Sequence, residues 1–347
     1  MFGGEVYFCE SCHVFRYSYH SCKDRHCPKC GNDNNGEWLA KQRAMLLPAP
    51  YFLVTFTVPH TLRAVALRYP KLFYTAMFHA AAETMLTLGH DPKYIGGQLG
   101  FFGVLHTWQR NLEHHPHLHF IVAGGGLSDD GNVWLPAQNK FFLPVHSMSI
   151  IFRAKLRDAL KKEPELFAQI LPEIWEQIRK KKKKRKKRWV VHCESVGSGE
   201  HAVEYLSRYV FRVALSNASL QKMENGNVTF RYQERETKQY KMRTVTAEEF
   251  IRLFLQHVLP LGFCKVRYYG FLSARHLLRL LKVRELLKVG FIKNEFLKSE
   301  SAKNESITEN NGECQEKALA HRILCCPQCK GEMQWTYAIE PTRTRAP

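Results

Sequence analysis

The sequence has no run of eighteen uninterrupted apolar residues, which excludes a transmembrane helix. Its first residues, Met1-Phe2-Gly3-Gly4, lack a basic stretch followed by an apolar core, so no secretory signal is expected. Internal repeats are absent as well. Negative charge is scarce: 32 Asp+Glu stand against 51 Lys+Arg, a formal net charge of +19 over 347 residues. Disorder is not expected, because 45% of the residues are apolar and 12% aromatic, as in ordinary globular proteins. The length allows one large domain or two to three smaller ones. Such a basic chain implies an anionic partner, of which nucleic acid is the commonest. Ten of the cations form a single run over 179–188, including Lys181, Lys182, Lys183 and Arg185. That run alone supports only nonspecific affinity for phosphates.

The eleven cysteines are unevenly spread, with five between Cys9 and Cys30 and four between Cys314 and Cys329. An odd count, tight Cys-x-x-Cys pairs and no export signal favour reduced thiols and metal over disulfides. Cys9, Cys12, Cys27 and Cys30 form two such pairs, fourteen residues apart. Four thiolates fit tetrahedral zinc and leave no open position, so this ion would be structural. Cys22 and His26 lie in the intervening loop as substitute ligands, among Arg16, Lys23, Arg25 and Lys29, whose charges suit phosphate contact. Cys326 and Cys329 make a half site for a second zinc, which Cys314, His321 or Cys325 would complete.

The expected fold class is α+β. Residues 1–45 read as a zinc-binding module, 46–290 as the main domain with the basic insertion 179–188, and 291–347 as a polar linker with the last cysteine cluster. Strands are expected over 51–58, 103–108, 117–123, 189–191 and 266–269, with a hairpin of 227–232 and 240–245. Helices are expected over 60–88 with a kink at Pro70, then over 147–178, 199–213, 247–257 and 273–288. A polar loop, Gln109 to Pro116, joins two of the strands.

Two patterns carry chemistry. In His114-His115-Pro116-His117-Leu118-His119, strand alternation puts His117 and His119 on one face. That is half of a divalent-metal site. His106, on the preceding strand, is the preferred third ligand over Gln109 or Glu113. Three ligands with open positions make a catalytic centre rather than a structural one. In Glu204-Tyr205-Leu206-Ser207-Arg208-Tyr209, helical spacing puts Tyr205 and Tyr209 on one face, and Arg208 and Arg212 follow as phosphate contacts.

Together these strings resemble the two-tyrosine rolling-circle transposases of bacterial insertion sequences, the insertion-sequence-ninety-one-like group of the HUH endonuclease superfamily. The resemblance runs from Tyr17-Ser18-Tyr19-His20 through Phe56-Thr57-Val58-Pro59-His60 and the histidine string. It continues through Tyr205-Leu206-Ser207-Arg208-Tyr209 to His257-Val258-Leu259-Pro260 and Arg267-Tyr268-Tyr269-Gly270. It implies an antiparallel sheet with the paired histidines on a central strand and the tyrosine helix beside them. His117, His119 and a third ligand such as His106 would hold Mg²⁺ or Mn²⁺, and Tyr205 and Tyr209 would be the nucleophiles. Single-stranded DNA at the element's ends and the target DNA would be the partners, in the cytoplasm at the bacterial nucleoid. Members of that group carry a further helical segment before the zinc part, so a shortened N-terminus is expected here. After Trp189-Val190-Val191, His192-Cys193-Glu194 replaces a stretch that ends in Lys in the family. Two other readings stand beside this one: a zinc-containing DNA-binding protein that no longer cuts, and a resemblance of His115-Pro116-His117-Leu118-His119 to the histidine-triad nucleotide hydrolases and transferases.

Overall fold

Bulky β-branched and aromatic residues dominate Tyr51–Thr57, recur along Gln98–Trp108 and form the run Phe120-Ile121-Val122 inside His114–Leu127, and these segments form the middle of the largest described sheet. The computed structural model describes residues 3–20, 26, 35–137, 142–179, 189–211, 214–234, 237–288 and 324–341. The chain begins with β1 (Gly4–Cys9), β2 (Val14–Tyr19), α1 (Asn35–Met45), β3 (Tyr51–Thr57), α2 (Arg63–Arg68) and α3 (Pro70–His90). It continues with β4 (Gln98–Trp108), β5 (His114–Leu127), β6 (Trp134–Pro136), α4 (Val145–Lys161), α5 (Pro164–Ala168) and α6 (Pro172–Arg179). Next come β7 (Val190–Ser195), α7 (Glu200–Phe211), β8 (Leu220–Glu224), β9 (Asn227–Gln233), β10 (Tyr240–Thr246) and α8 (Ala247–Leu255). Last are β11 (Val266–Gly270), α9 (Leu277–Leu286), β12 (Leu324–Cys325) and β13 (Glu332–Ile339).

The fold is α+β, with antiparallel pairing throughout the described sheets. The largest sheet has the order β11-β4-β5-β3-β7, with β6 paired to β5. Its two faces follow from strand alternation. Phe52, Val54, Phe56, Leu118, Phe120 and Val122 point to one side and are buried against α3 and α4 through Phe73, Phe78 and Phe152. Leu53, Phe102, Val104, Ile121 and Ala123 point to the other, where Ala202, Val203 and Leu206 of α7 and Leu280 and Val283 of α9 cover them. Fully burying a side chain such as Val203 or Leu206 contributes about 1.5–3 kcal/mol, enough to fix α7 on that face. At Gly103 a Cβ would lie 2.3 Å from the Phe120 ring, so glycine is what lets this aromatic lie across β4.

Prolines explain where helices differ from the sequence pattern. Pro70 occupies the first turn of α3, so the helix expected over 60–88 divides into α2 and α3. Pro164 and Pro172 likewise start α5 and α6, which splits the helix expected over 147–178. The loop expected from Gln109 to Pro116 is shorter, because β5 already starts at His114. Trp108 pairs with His114 across a bulge, and an irregular position of this kind tolerates Pro116 without its N–H. A second sheet, β10-β9-β8, packs Phe230 on Leu253 of α8 and on Leu112 from the β4–β5 loop. β8 has too few β-branched residues to be read from sequence and forms by pairing with β9.

The third sheet, in the order β12-β13-β1-β2, joins the two ends of the chain. The sequence boundaries separated 1–45 from 291–347, yet β1 pairs with β13 from Gly4↔Ile339 to Phe8↔Gln334. Among the described residues, no helix is long and apolar enough to cross a membrane.

Candidate catalytic metal centre

His106 on β4 lies directly across from His117 on β5, and His119 lies across from Val104. Alternation turns all three imidazoles to the face that α7 covers, and one ligand atom of each lies within 4.8 Å of the others. The third imidazole gathered with His117 and His119 is therefore His106, not His115, Gln109 or Glu113. His115 is engaged elsewhere: Arg63 Nη2 donates to its Nδ1 over 2.7 Å.

Neighbours set the tautomers. His117 Nδ1 donates to the His115 carbonyl at 2.7 Å, which makes Nε2 its lone-pair nitrogen. That Nε2 is 3.0 Å from His106 Nδ1, so in the neutral pair His106 donates the shared proton. A metal ion would occupy the lone pair that this proton now satisfies. His119 Nδ1 is 3.0 Å from Thr55 Oγ1 on β3, a contact that fixes the ring and leaves Nε2 as donor atom to a metal. Burial first, and then the neighbouring imidazoles, hold His106 well below the usual histidine range. Burial, followed by the charge on His117, pushes His119 down to about 3. Both rings are thus neutral at physiological pH, which is the form that ligates metals.

A chain of contacts links α7 to this cluster. The Trp108 ring centroid is 4.1 Å from that of His106. Lys265 Nζ lies 5.0 Å over the same indole and donates to the Val210 carbonyl near the end of α7 at 3.3 Å. The Lys265 charge also contributes to the depression of His106, as proximity requires. An open cleft lined by Thr107, Trp108, Val210, His257 and Lys265 borders the cluster. Behind it, His257 Nε2 donates to the Leu112 carbonyl at 3.0 Å, and its Nδ1 accepts from Thr107 at 3.3 Å. His114 stacks 6.2 Å from His257 and is 2.8 Å from the Tyr74 hydroxyl. Burial pushes these two histidines down to about 4 and about 3, so they serve as neutral braces of the loop.

Tyr205 stands on α7 next to the buried Leu206 and is 44% exposed, so a ligand can reach its ring. Arg208 and Tyr209 belong to the same helix. Arg212, Lys181, Lys182, Lys183 and Arg185, expected to bind DNA, lie outside the described residues, as do Cys27 and Cys30.

The described residues extend the cysteine expectation. Cys9 and Cys12 are gathered with Cys326 and Cys329, one ligand atom of each within 4.8 Å of the others. Among the described residues, the half site expected to bind a second zinc thus joins Cys9 and Cys12, while Cys27 and Cys30 lie outside them. The reason is the shared sheet: β1–β13 pairing brings the two turns together. The turns are alike. His13 and Lys330 each follow the second cysteine of a pair, with left-handed φ of 53° and 63°. Their N–H groups donate to the first cysteine's carbonyl, Cys9 at 2.8 Å and Cys326 at 2.9 Å. Cys9 Sγ and Cys329 Sγ are 3.6 Å apart, too far for a disulfide and close enough to share an ion. Backbone N–H groups of Cys329 and Gln328 pull the Cys326 thiol down to about 6, whereas the Cys329 thiol, with burial next, pushes Cys12 up to about 12. Four thiolates this close repel one another, and a divalent cation lets all of them ionise. The donor set fits structural zinc.

Sequence reasoning missed Thr55, Lys265 and the bracing pair of His114 and His257. A signal existed for Thr55: Leu53, Thr55 and Thr57 alternate on the histidine side of β3, and a hydroxyl facing imidazoles suggests a supporting contact. Lys265 carries no local signal.

Comparison with known proteins gives a consistent result. A family model described as "Putative transposase" matches residues 100–278, and one described as "Transposase zinc-binding domain" matches residues 1–58. A relative in Sinorhizobium fredii named "Putative transposase y4qJ" is 42% identical over 82% of this chain and 74% of its own length. Another from Pseudomonas savastanoi pv. phaseolicola, "Transposase for insertion sequence element IS801", is 30% identical over 83% of this chain and 70% of its own. No solved structure matches the chain at a significant level.

Proposed function

Since the chain belongs to the insertion-sequence-ninety-one-like DNA transposases, we infer that it cuts and rejoins single-stranded DNA through tyrosine nucleophiles. One observation carries this reading: three imidazoles converge on the sheet face that the helix of Tyr205 and Tyr209 crosses. His106, His117 and His119 would hold the catalytic ion, Mg²⁺ or Mn²⁺. A divalent ion there draws charge from the non-bridging oxygens of a phosphodiester and fixes its geometry.

The protein's own groups do the rest. The phenol of Tyr205 or Tyr209 attacks phosphorus. A bond from the phenolic oxygen to phosphorus forms as the bond from phosphorus to the 3′-oxygen breaks, leaving a 5′-phosphotyrosine and a free 3′-OH. The phenolic proton leaves in the same step and a proton ends on the departing 3′-oxygen. A phenol with an ordinary pKa of about 10 is mostly protonated at pH 7, so cations near the phosphate must favour its ionised form. Lys265 and the arginines Arg208 and Arg212 are the candidates. The covalent link conserves the phosphoester, so a later 3′-OH reverses the step without ATP. Two tyrosines one helical turn apart serve two ends in turn. Lys181, Lys182, Lys183 and Arg185 add nonspecific affinity for DNA, and the zinc site holds the ends of the chain.

The test uses 5′- and 3′-labelled single-stranded DNA carrying the element's end, with Mn²⁺ or with EDTA. An EDTA-sensitive covalent adduct on the 5′ side of the cut is expected, and it is lost in Tyr205→Phe/Tyr209→Phe. Binding without any cleavage would favour a protein that holds ends but no longer cuts. An adduct that survives the double substitution would sink the tyrosine assignment.

A further inference from the structure

We propose that the outer face of the β8–β9–β10 sheet is a stacking platform that delivers single-stranded DNA to the histidine cluster. The proposal deepens the preceding reading and rests on it only for the identity of the strand as DNA.

The argument starts from alternation. Phe230 of β9 and Val245 of β10 turn inward, towards Leu112 and Leu253, and Val228, two residues before Phe230, is buried as well. Thr229, Arg231 and Gln233 of β9 therefore turn outward, opposite Thr244, Met242 and Tyr240 of β10, and Lys222 of β8 joins them opposite Thr229. No described element packs on this outer side: Tyr240 is 65% exposed and Met242 55%. The Arg231 guanidinium lies over the Tyr240 ring, 4.6 Å from its centroid, so a flat cation and a flat ring stack on the surface and each turns one plane away from the other. Unpaired bases stack on both kinds of plane, whereas the bases of a duplex have no free face to offer.

Charge and position select the same occupant. Arg110, Arg231 and Lys222 stand along this face, and the described carboxylates near it are paired, Glu224 with Lys222 and Glu234 with Lys241. The face does not end at random. Arg110, in the loop between β4 and β5, donates to Gln233 Oε1 at 2.7 Å, next to the register position of Tyr240. Arg243 donates to the Asn111 carbonyl at 2.7 Å, and Leu112 of the same loop is fully buried in the small core. His257, which follows α8, donates to the Leu112 carbonyl at 3.0 Å. The platform is thus clamped to the loop that joins the strands of His106 and His117. A strand lying on Tyr240 and Arg231 runs past Arg110 towards the cluster.

The experiment measures binding by the full chain in EDTA, where cleavage plays no part. The background is Tyr205→Phe/Tyr209→Phe, and the probe is a 5′-fluorescein oligonucleotide of the element's end, single-stranded or annealed. Stacking energies predict that Tyr240→Ala weakens single-strand binding about fivefold or more, while Tyr240→Phe keeps it within about twofold. Arg231→Gln weakens it as well, and duplex affinity changes less in every variant. A Tyr240→Trp protein, checked by circular dichroism, should show indole quenching on adding the single strand. Unchanged affinity in Tyr240→Ala together with no quenching in Tyr240→Trp overturns the proposal. So does an equal loss for single strand and duplex, which marks a general electrostatic surface. A dimer that becomes a monomer in Tyr240→Ala, with DNA affinity intact, also overturns it and assigns the face to a second copy. Because no step requires cutting, absence of a covalent adduct in the cleavage test leaves these outcomes readable.

Discussion

The two ligand clusters of this protein use opposite designs. Cys9 and Cys329 touch across 320 residues of sequence, whereas His106, His117 and His119 come from two adjacent strands joined by one short loop. The thiol cluster offers four donors that ionise on binding a divalent cation and would leave it no vacant position, so its ion would tie the chain ends and do no chemistry. The imidazole cluster has three donors, fewer than a divalent ion takes, which would leave positions on the ion for other ligands. The difference teaches that ligand charge and number, more than the presence of a metal, would separate a fastening from the reaction centre we propose.

The strongest way to break this contrast is to remove one thiol. Cys326→Ser should abolish zinc at the terminal sheet, since structural zinc in small modules is worth about 10–16 kcal/mol of folding free energy. Zinc content by elemental analysis and protease resistance of the β1–β2 hairpin should fall together. Cys27→Ser should keep the zinc, and the reverse result would restore the pairing read from sequence.

Next in size is His117→Ala or His119→Ala. Each should lower Mn²⁺-dependent cleavage by about 10²–10³-fold or more, the scale on which losing transition-state charge stabilisation is felt. Zinc content and melting temperature should stay close to those of the parent. A variant that loses zinc as well would show that the two clusters are not independent.

Thr55→Val is the gentlest probe. Losing the hydroxyl beside His119 Nδ1 should weaken Mn²⁺ binding about 10–100-fold, as for other groups that orient a metal ligand. Raising Mn²⁺ should then rescue the rate, which it cannot do for His119→Ala. A Thr55→Val protein with unaltered Mn²⁺ dependence would remove Thr55 from the account.

The same contrast governs what the sequence reveals. The histidine cluster is legible because its members lie within one hairpin, where alternation alone predicts which side chains share a face. The apolar stripe of α7 and the strands β3, β4, β5, β9 and β10 are legible for the same local reason. The full thiol cluster is not. Both half sites are visible, but choosing which halves join depends on β1 pairing with β13, a contact between the chain's ends that no local pattern encodes. Lys265 escapes likewise, since β11–β4 pairing brings it beside Trp108. Pro70, Pro164 and Pro172 were in view, yet as helix starts they divide segments whose apolar spacing reads as continuous.

The central claim is that a tyrosine of α7 bonds to DNA on the face that carries the histidines. The most direct test is to trap the protein on single-stranded end DNA with Mn²⁺, digest it with nuclease and protease, and map the nucleotide-bearing peptide by mass spectrometry. The account predicts one modified peptide from the segment 200–211, with the nucleotide on Tyr205 or Tyr209. A nucleotide on His117, on His119 or on a residue outside that helix would contradict it.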